Sequence, residues 1–98
     1  MWIKMVFVAY MSITVTDQEN NGTHNYLIET TDRNPKAISI STKNPIPYKT
    51  GEKFIARFHG KCQEAWSISD SWETKKNYIC TANYLETHKG VIKDILKK

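Results

Sequence analysis

Two of the three histidines and both cysteines could supply ligands for a metal ion. His59 and Cys62 have two residues between them, a spacing found in zinc sites, and Cys80 and His88 would complete a set of four ligands. However, seven residues separate Cys80 from His88, and the chain contains no Cys-x2-Cys pair. The spacing favours two buried thiols and two surface histidines, so we predict no metal site and no cofactor.

The same region carries residue types that small ribonucleases use. His59 would act as general acid or base, Glu64 as its counterpart, and Arg57 or Lys61 would hold the phosphate. Such a trio within a few positions often arises by chance, and no second histidine has a telling spacing. The chain also lacks a P-loop, a G-x-G-x-x-G loop, a nucleophile elbow and an H-E-x-x-H motif. We therefore predict no enzymatic activity, and a ribonuclease is the least favoured alternative.

The N-terminal segment decides the expected compartment. The apolar run Met5–Met11 is far shorter than the ~20 residues that span a bilayer, and no small-residue cleavage site follows it. We therefore expect a cytoplasmic protein without a membrane segment, in which Cys62 and Cys80 are reduced, buried thiols. A bridge between them stays open as an alternative, and closing that loop would contribute about 3 kcal/mol of stability.

Positive charge is concentrated in the middle of the chain. The 98 residues carry a net charge of +4, but residues 1–32 carry −3, residues 33–63 carry +6 and residues 64–98 carry +1. Cations neutralise phosphates and exposed rings stack on bases, so a basic segment with interleaved aromatic residues is typical of a nucleic-acid-binding face. We predict a non-catalytic protein that binds an anionic partner, nucleic acid or nucleoprotein, through Lys43, Tyr48, Lys49, Lys53, Arg57, Lys61, Trp66 and Trp72.

A protein partner is the alternative to nucleic acid. Trp72 lies in the polar segment Ser67–Thr74, and tryptophan is enriched among the residues that dominate protein interfaces. A compact basic domain without catalytic motifs also suits an inhibitor or accessory protein of the kind found in viruses and mobile elements. In that case the same cations would contact an acidic protein surface.

The elements that must position these residues are mostly strands. A chain of 98 residues forms one domain, residues 1–98. Alternation of apolar and polar residues predicts strands, and the pair Asn21-Gly22 predicts a tight hairpin turn. Phe54, Ala56 and Phe58 should face the core, with Arg57 on the opposite side. The predicted strands cover residues 12–17 with the run before them, 25–31, 37–42, 53–59, 65–69 and 77–85.

These strands predict a mainly β, β-rich α+β domain: a small barrel or rolled antiparallel sheet of about five to six strands. In the last strand we expect Tyr78, Cys80, Ala82 and Tyr84 on one side. The segment Tyr48–Phe58 resembles the turn followed by a strand that is common in OB- and SH3-like barrels, a likeness of 11 residues.

Two further expectations concern the ends of the chain. Residues 86–98 change to helical periodicity, which predicts one short C-terminal helix. The first strand is long and apolar from Met5 to Val15, and such a strand at a sheet edge would pair with another chain unless it is covered. We therefore expect a homodimer or a partner strand there.

Overall fold

Six strands make up the computed structural model, which describes residues 1–31, 35–68 and 74–96. For residues 15–17, 66–68 and 74–76 it describes the backbone alone. The strands are β1 (Trp2–Asn20), β2 (Thr23–Thr30), β3 (Lys36–Thr42), β4 (Lys53–Ile68), β5 (Thr74–Thr87) and the two-residue β6 (Gly90–Val91). The segments predicted at 53–59 and 65–69 therefore join in one continuous strand, β4, which is described as far as Ile68; residue 69 lies outside the described residues.

The first five strands close into a barrel. β1 lies between β2 and β4, β2 also pairs with β3, and β4 also pairs with β5, all antiparallel. A parallel contact between Lys36–Ser39 of β3 and Tyr78–Thr81 of β5 joins the two ends of the sheet. The prediction of a mainly β protein built on a small barrel is confirmed.

Alternating side chains fill the barrel, as a pleated strand requires. Phe54, Ala56 and Phe58 are buried while Arg57 is exposed, as the sequence predicts. At the first hairpin, Asn21 and Gly22 have φ angles of 53° and 80°, the positive values that this turn needs. The fully buried large side chains are Phe58, Met11, Ile13, Ile28, Ile38 and Leu85.

The alternation expected in the last strand changes at a β-bulge. His59 pairs with Tyr84 but the next residue, Gly60, pairs with Ala82, so Asn83 is the extra residue of β5. Cys80 and Ala82 point inward as predicted, whereas Tyr84 does not, because the bulge shifts the pattern by one residue and buries Leu85 instead. Tyr84 therefore faces outward.

Gly60, opposite this bulge, is buried where β4 and β5 approach closely. A Cβ atom at this position would collide with the carbonyl oxygen of Thr81 and would lie 2.6 Å from Cζ of Phe58. A backbone carbonyl cannot move aside as a flexible side chain can. Gly60 therefore allows the two strands to stay paired across the bulge.

The predicted C-terminal helix is wrong: β5 continues to Thr87, and a turn then leads into β6. Gly90 and Asp94 have φ angles of 109° and 63°, which a right-handed helix does not allow. Burial decides the conformation, because Ile92 lies in the core with its N–H bonded to the carbonyl of Leu85 (2.8 Å). None of the described residues forms a helix that is long and apolar enough to cross a membrane.

The cysteines are bonded to each other rather than reduced. Cys62 of β4 and Cys80 of β5 are directly opposite in the ladder, fully buried, and joined by a disulfide. Their burial agrees with the prediction. The prediction that they are reduced is wrong, whereas the bridge considered as the alternative is present. Spacing along the sequence could not show that the strand register brings the two Cα atoms within 4.0 Å.

Candidate functional site

The outer surface of β1, β4 and β5 gathers most of the exposed cations and large apolar side chains of the described barrel strands. Strand pairing arranges this surface, which we call the cationic face, in cross-strand rows. From one end to the other the rows are Trp2–Gln63–Ile79, Lys4–Lys61–Thr81, Val6–His59–Tyr84, Val8–Arg57–Glu86 and Tyr10–Ile55, and Lys53 lies beyond them opposite Ser12.

Two lysines are direct neighbours on this face. Lys4 of β1 lies opposite Lys61 of β4, and like charges in that position destabilise a sheet. Arg57 lies four residues before Lys61 on the same side of β4, and Lys53 lies another four residues before Arg57, about 13 Å along the strand. Among the described residues no carboxylate lies within ion-pair distance of any of these four cations. Within the described residues, Lys4, Lys61 and Lys53 therefore carry charges without an ion-pair partner, and Glu86 lies opposite Arg57 in the ladder.

Exposed rings lie among these cations. Tyr10 is 63% exposed and Trp2 is 47% exposed, values far above those of the core aromatic residues. His59 and Tyr84 form an edge-to-face pair with ring centroids 4.9 Å apart in the central row. The face thus offers both positive charge and flat π surfaces to a ligand.

The surroundings of Tyr84 shift the pKa of its hydroxyl. Partial desolvation raises the pKa of this hydroxyl above its ordinary value, and the charge of Glu86 and a hydrogen bond to that carboxylate raise it further. The positive charge of Arg57 acts in the opposite direction. The raised pKa keeps Tyr84 neutral at physiological pH, with its O–H donated to the carboxylate of Glu86.

The structure brings some of the predicted binding residues together and not others. Lys53, Arg57 and Lys61 share the cationic face, whereas Lys43 and Lys49 are exposed in the connection between β3 and β4. Two tryptophans, Trp66 and Trp72, were also predicted to bind the partner. The side chain of Trp66 and the whole of Trp72 lie outside the described residues.

Tyr48, which was predicted as a binding residue, has a buried side chain. Its ring stacks on Phe54 with centroids 4.1 Å apart, and its hydroxyl lies 3.4 Å from Nδ1 of His88. The ammonium group of Lys89 covers the ring at 4.4 Å and donates a hydrogen bond to the carbonyl of Pro47 at 2.9 Å. Tyr48 therefore holds the β3–β4 connection against the turn after β5.

The opposite outer surface, formed by β2 and β3, is different. This β2–β3 face presents mostly small or polar side chains with one carboxylate, Glu29, and its described outward residues include no lysine or arginine. Ser41 donates a hydrogen bond of 2.6 Å to Oδ1 of Asn25, so two of its polar groups satisfy each other. The outward residues of this face are Asn25, Leu27, Glu29, Ala37, Ser39 and Ser41.

Neither of the two chemical arrangements considered from the sequence is assembled. Cys62 and Cys80 are consumed in the disulfide inside the barrel, while His59 points outward and His88 lies beside Tyr48. Within the described residues no group of three potential ligands is placed to hold a metal ion. His59 and Glu64 lie five positions apart on a strand, so they extend from opposite faces of β4.

Sequence reasoning missed the contribution of β1 to this face. Trp2, Lys4 and Tyr10 occur in the most acidic third of the chain, so a division by charge excluded them. The period-2 alternation was a usable signal, because the even-numbered residues from Trp2 to Tyr10 all point outward on one strand. Pairing with β4 then places them beside Arg57 and Lys61.

No family model, curated protein or solved structure matches this chain.

Proposed function

We propose that this protein binds single-stranded nucleic acid on the cationic face without acting on it as an enzyme. The phosphates would lie along Lys4, Lys61 and Arg57, and unpaired bases would stack on Tyr10 and Trp2. This arrangement needs no metal, cofactor or nucleophile. It extends the binding segment proposed from the sequence by the residues that β1 contributes.

The juxtaposition of Lys4 and Lys61 carries the proposal. Two ammonium groups opposite each other repel, and the fold keeps them there with no carboxylate among the described residues close enough to compensate. A phosphate between them would remove that repulsion and accept hydrogen bonds from both. An anionic ligand is therefore favoured at this row before any base contact is considered.

The barrel architecture and the exposed rings support a single-stranded ligand. A five-stranded barrel closed in the order β1-β2-β3-β5-β4 resembles the OB fold, which binds oligonucleotides. Stacking of bases on exposed aromatic side chains requires unpaired bases, which a duplex does not offer. OB folds ordinarily bind oligonucleotides on the face formed by their second and third strands. Here the charge distribution favours the other side of the barrel.

Anisotropy of labelled oligothymidine, measured over a series of salt concentrations, tests the proposal. If all four cations contact phosphates, the logarithm of the binding constant should fall with the logarithm of salt with a slope of about −3. Tyr10→Ala should weaken binding by about 1–3 kcal/mol, the range for loss of one stacked base. The matched control is Leu27→Ala, which truncates a side chain on the β2–β3 face and should leave binding unchanged.

Polyglutamate of similar length separates stacking from charge alone, since it offers anions without bases. We expect Tyr10→Ala to leave polyglutamate binding unaffected. Absence of a complex with any single-stranded DNA or RNA at low salt would rule the proposal out.

An acidic protein surface is the second candidate, and a specific observation favours it. Val6, Val8 and Ile55 are 57%, 55% and 42% exposed beside the cations, and such a mixture is common at protein interfaces. Capture of a stoichiometric protein from nuclease-treated host lysate, lost in Arg57→Glu, would support this candidate if oligonucleotides do not bind.

A further inference from the structure

Over residues 2–9, the β2-side edge of strand β1 has no partner strand among the described residues. β1 pairs with β4 over residues 2–12, but with β2 only from Met11 onward. At the boundary, the carbonyl of Tyr10 accepts a hydrogen bond of 3.0 Å from the N–H of Thr31. Among the described residues, no backbone hydrogen bond reaches this edge of residues 2–9. A long exposed edge of this kind is a template for another strand.

The orientation of the free groups follows from two hydrogen bonds. The carbonyl of Tyr10 points to the β2 side, whereas that of Ile13 accepts from Gly51 at 2.9 Å on the β4 side. Because orientation alternates along a strand, the even-numbered residues before Tyr10 present their N–H and C=O groups to the free edge. These residues are Trp2, Lys4, Val6 and Val8, and their side chains are exposed on the cationic face.

We propose that a second copy of this chain pairs with this edge, antiparallel, about a two-fold axis at Met5. This register places Trp2 opposite Val8 of the second copy and Lys4 opposite Val6. Since each such pair exchanges two hydrogen bonds, the four pairs form about eight. Each lysine stem then lies against an apolar side chain rather than against another charge.

The neighbouring registers are less favourable for reasons that the structure supplies. An axis at Lys4 would place Lys4 opposite its own copy and bring two like charges together. An axis at Val6 would pair Trp2 with Tyr10, whose carbonyl already accepts from Thr31. Both arrangements keep only three of the four pairs. The charge pairing and the number of hydrogen bonds therefore both favour the register with the two-fold axis at Met5.

The dimer has a consequence for the exposed surface. A two-fold axis perpendicular to the sheet keeps both cationic faces on one side, so β5, β4 and β1 of one copy continue into β1, β4 and β5 of the other. The apolar side chains of Val6 and Val8 then lie near the centre of a six-stranded surface. The proposal concerns self-association alone and does not depend on which ligand the face binds.

Sedimentation equilibrium of the full chain without nucleic acid tests the register with variants that introduce a positive or a negative charge at Val6. Val6→Lys would place lysines opposite each other in two symmetric pairs, and we expect the dimer Kd to rise about tenfold. Val6→Glu would place each introduced carboxylate opposite Lys4 of the other copy, and the Kd should stay equal or fall. The double variant Lys4→Glu/Val6→Lys should restore the dimer.

Ile55→Lys is the matched control, because it adds the same charge to the same face on β4, away from the edge. We expect its dimer Kd to remain within about twofold of the parent value at moderate salt, where exposed charges are screened. Circular dichroism of each variant verifies the fold. A parent chain that stays monomeric at the highest attainable concentration overturns the proposal, and so does a Val6→Glu variant that dissociates as readily as Val6→Lys.

Discussion

The cationic face and the β2–β3 face belong to the same barrel but offer different surfaces to a ligand. The cationic face has four cations, one carboxylate and exposed rings, whereas the β2–β3 face has one carboxylate, no cation among its described outward residues, and mostly small or polar side chains. Both alternate inward and outward residues, and both enclose the same core. The difference shows that strand order alone does not decide which side of a small barrel carries the positive charge.

The largest expected effect is on stability and concerns the disulfide that lies beneath the cationic face. The disulfide Cys62–Cys80 links β4 to β5, while β2 and β3 are held by hydrogen bonds and packing. Reduction should lower the free energy of unfolding by about 3 kcal/mol on the loop-entropy model. Urea unfolding with and without reductant measures this loss.

The variant Cys62→Ala/Cys80→Ala serves as the control for this prediction. Its stability should not respond to reductant, because it has no bridge to lose. An equal free energy of unfolding of the parent chain in both buffers would show that the disulfide does not stabilise the fold.

A second prediction compares the two faces directly at equal change in net charge. Arg57→Gln should reduce the salt slope of oligonucleotide binding by about 0.7, the value for one lost phosphate contact on a single strand. Ser39→Glu lowers the net charge of the chain by the same amount on the β2–β3 face. We expect it to leave the slope unchanged. Equal effects of the two substitutions would mean that overall charge, not the cationic face, determines binding.

The smallest effect concerns the polar network within the cationic face. Glu86→Gln should lower the pKa of Tyr84 toward its ordinary value, because it removes the carboxylate charge that disfavours the phenolate. Arg57→Gln should shift the same pKa upward, since it removes a nearby positive charge. NMR titration of the Tyr84 ring measures both. Shifts in the same direction for the two variants would contradict the proposed neighbours.

The sequence predicted the parts of this architecture that depend on local pattern. Alternation in Lys53–His59 correctly separated Phe54 and Phe58 from Arg57, and Asn21-Gly22 marked the first hairpin. Three of the predicted binding residues, Lys53, Arg57 and Lys61, do share one face. Each of these results follows from the period of a single strand or the chemistry of a single turn.

The features that sequence reasoning missed depend on contacts between distant segments. The bulge at Asn83 turns Tyr84 outward, and the burial of Ile92 overrides a helical pattern. Tyr48 is buried because Phe54 and His88 pack around it. Pairing of β1 with β4 brings Lys4 to Lys61, a partner 57 positions away in the sequence. Charge counted along the chain cannot reveal such neighbours.

The parallel contact between β3 and β5 also determines when the barrel can form during synthesis. It joins residues 36–39 to residues 78–81, and β1 has its complete set of partners on β4 only after Gln63 has been made. A nascent chain that ends before residue 78 has β3 and β4 with open edges. Contacts so distant in sequence also slow folding. The barrel can therefore close cooperatively only after β5 has been made.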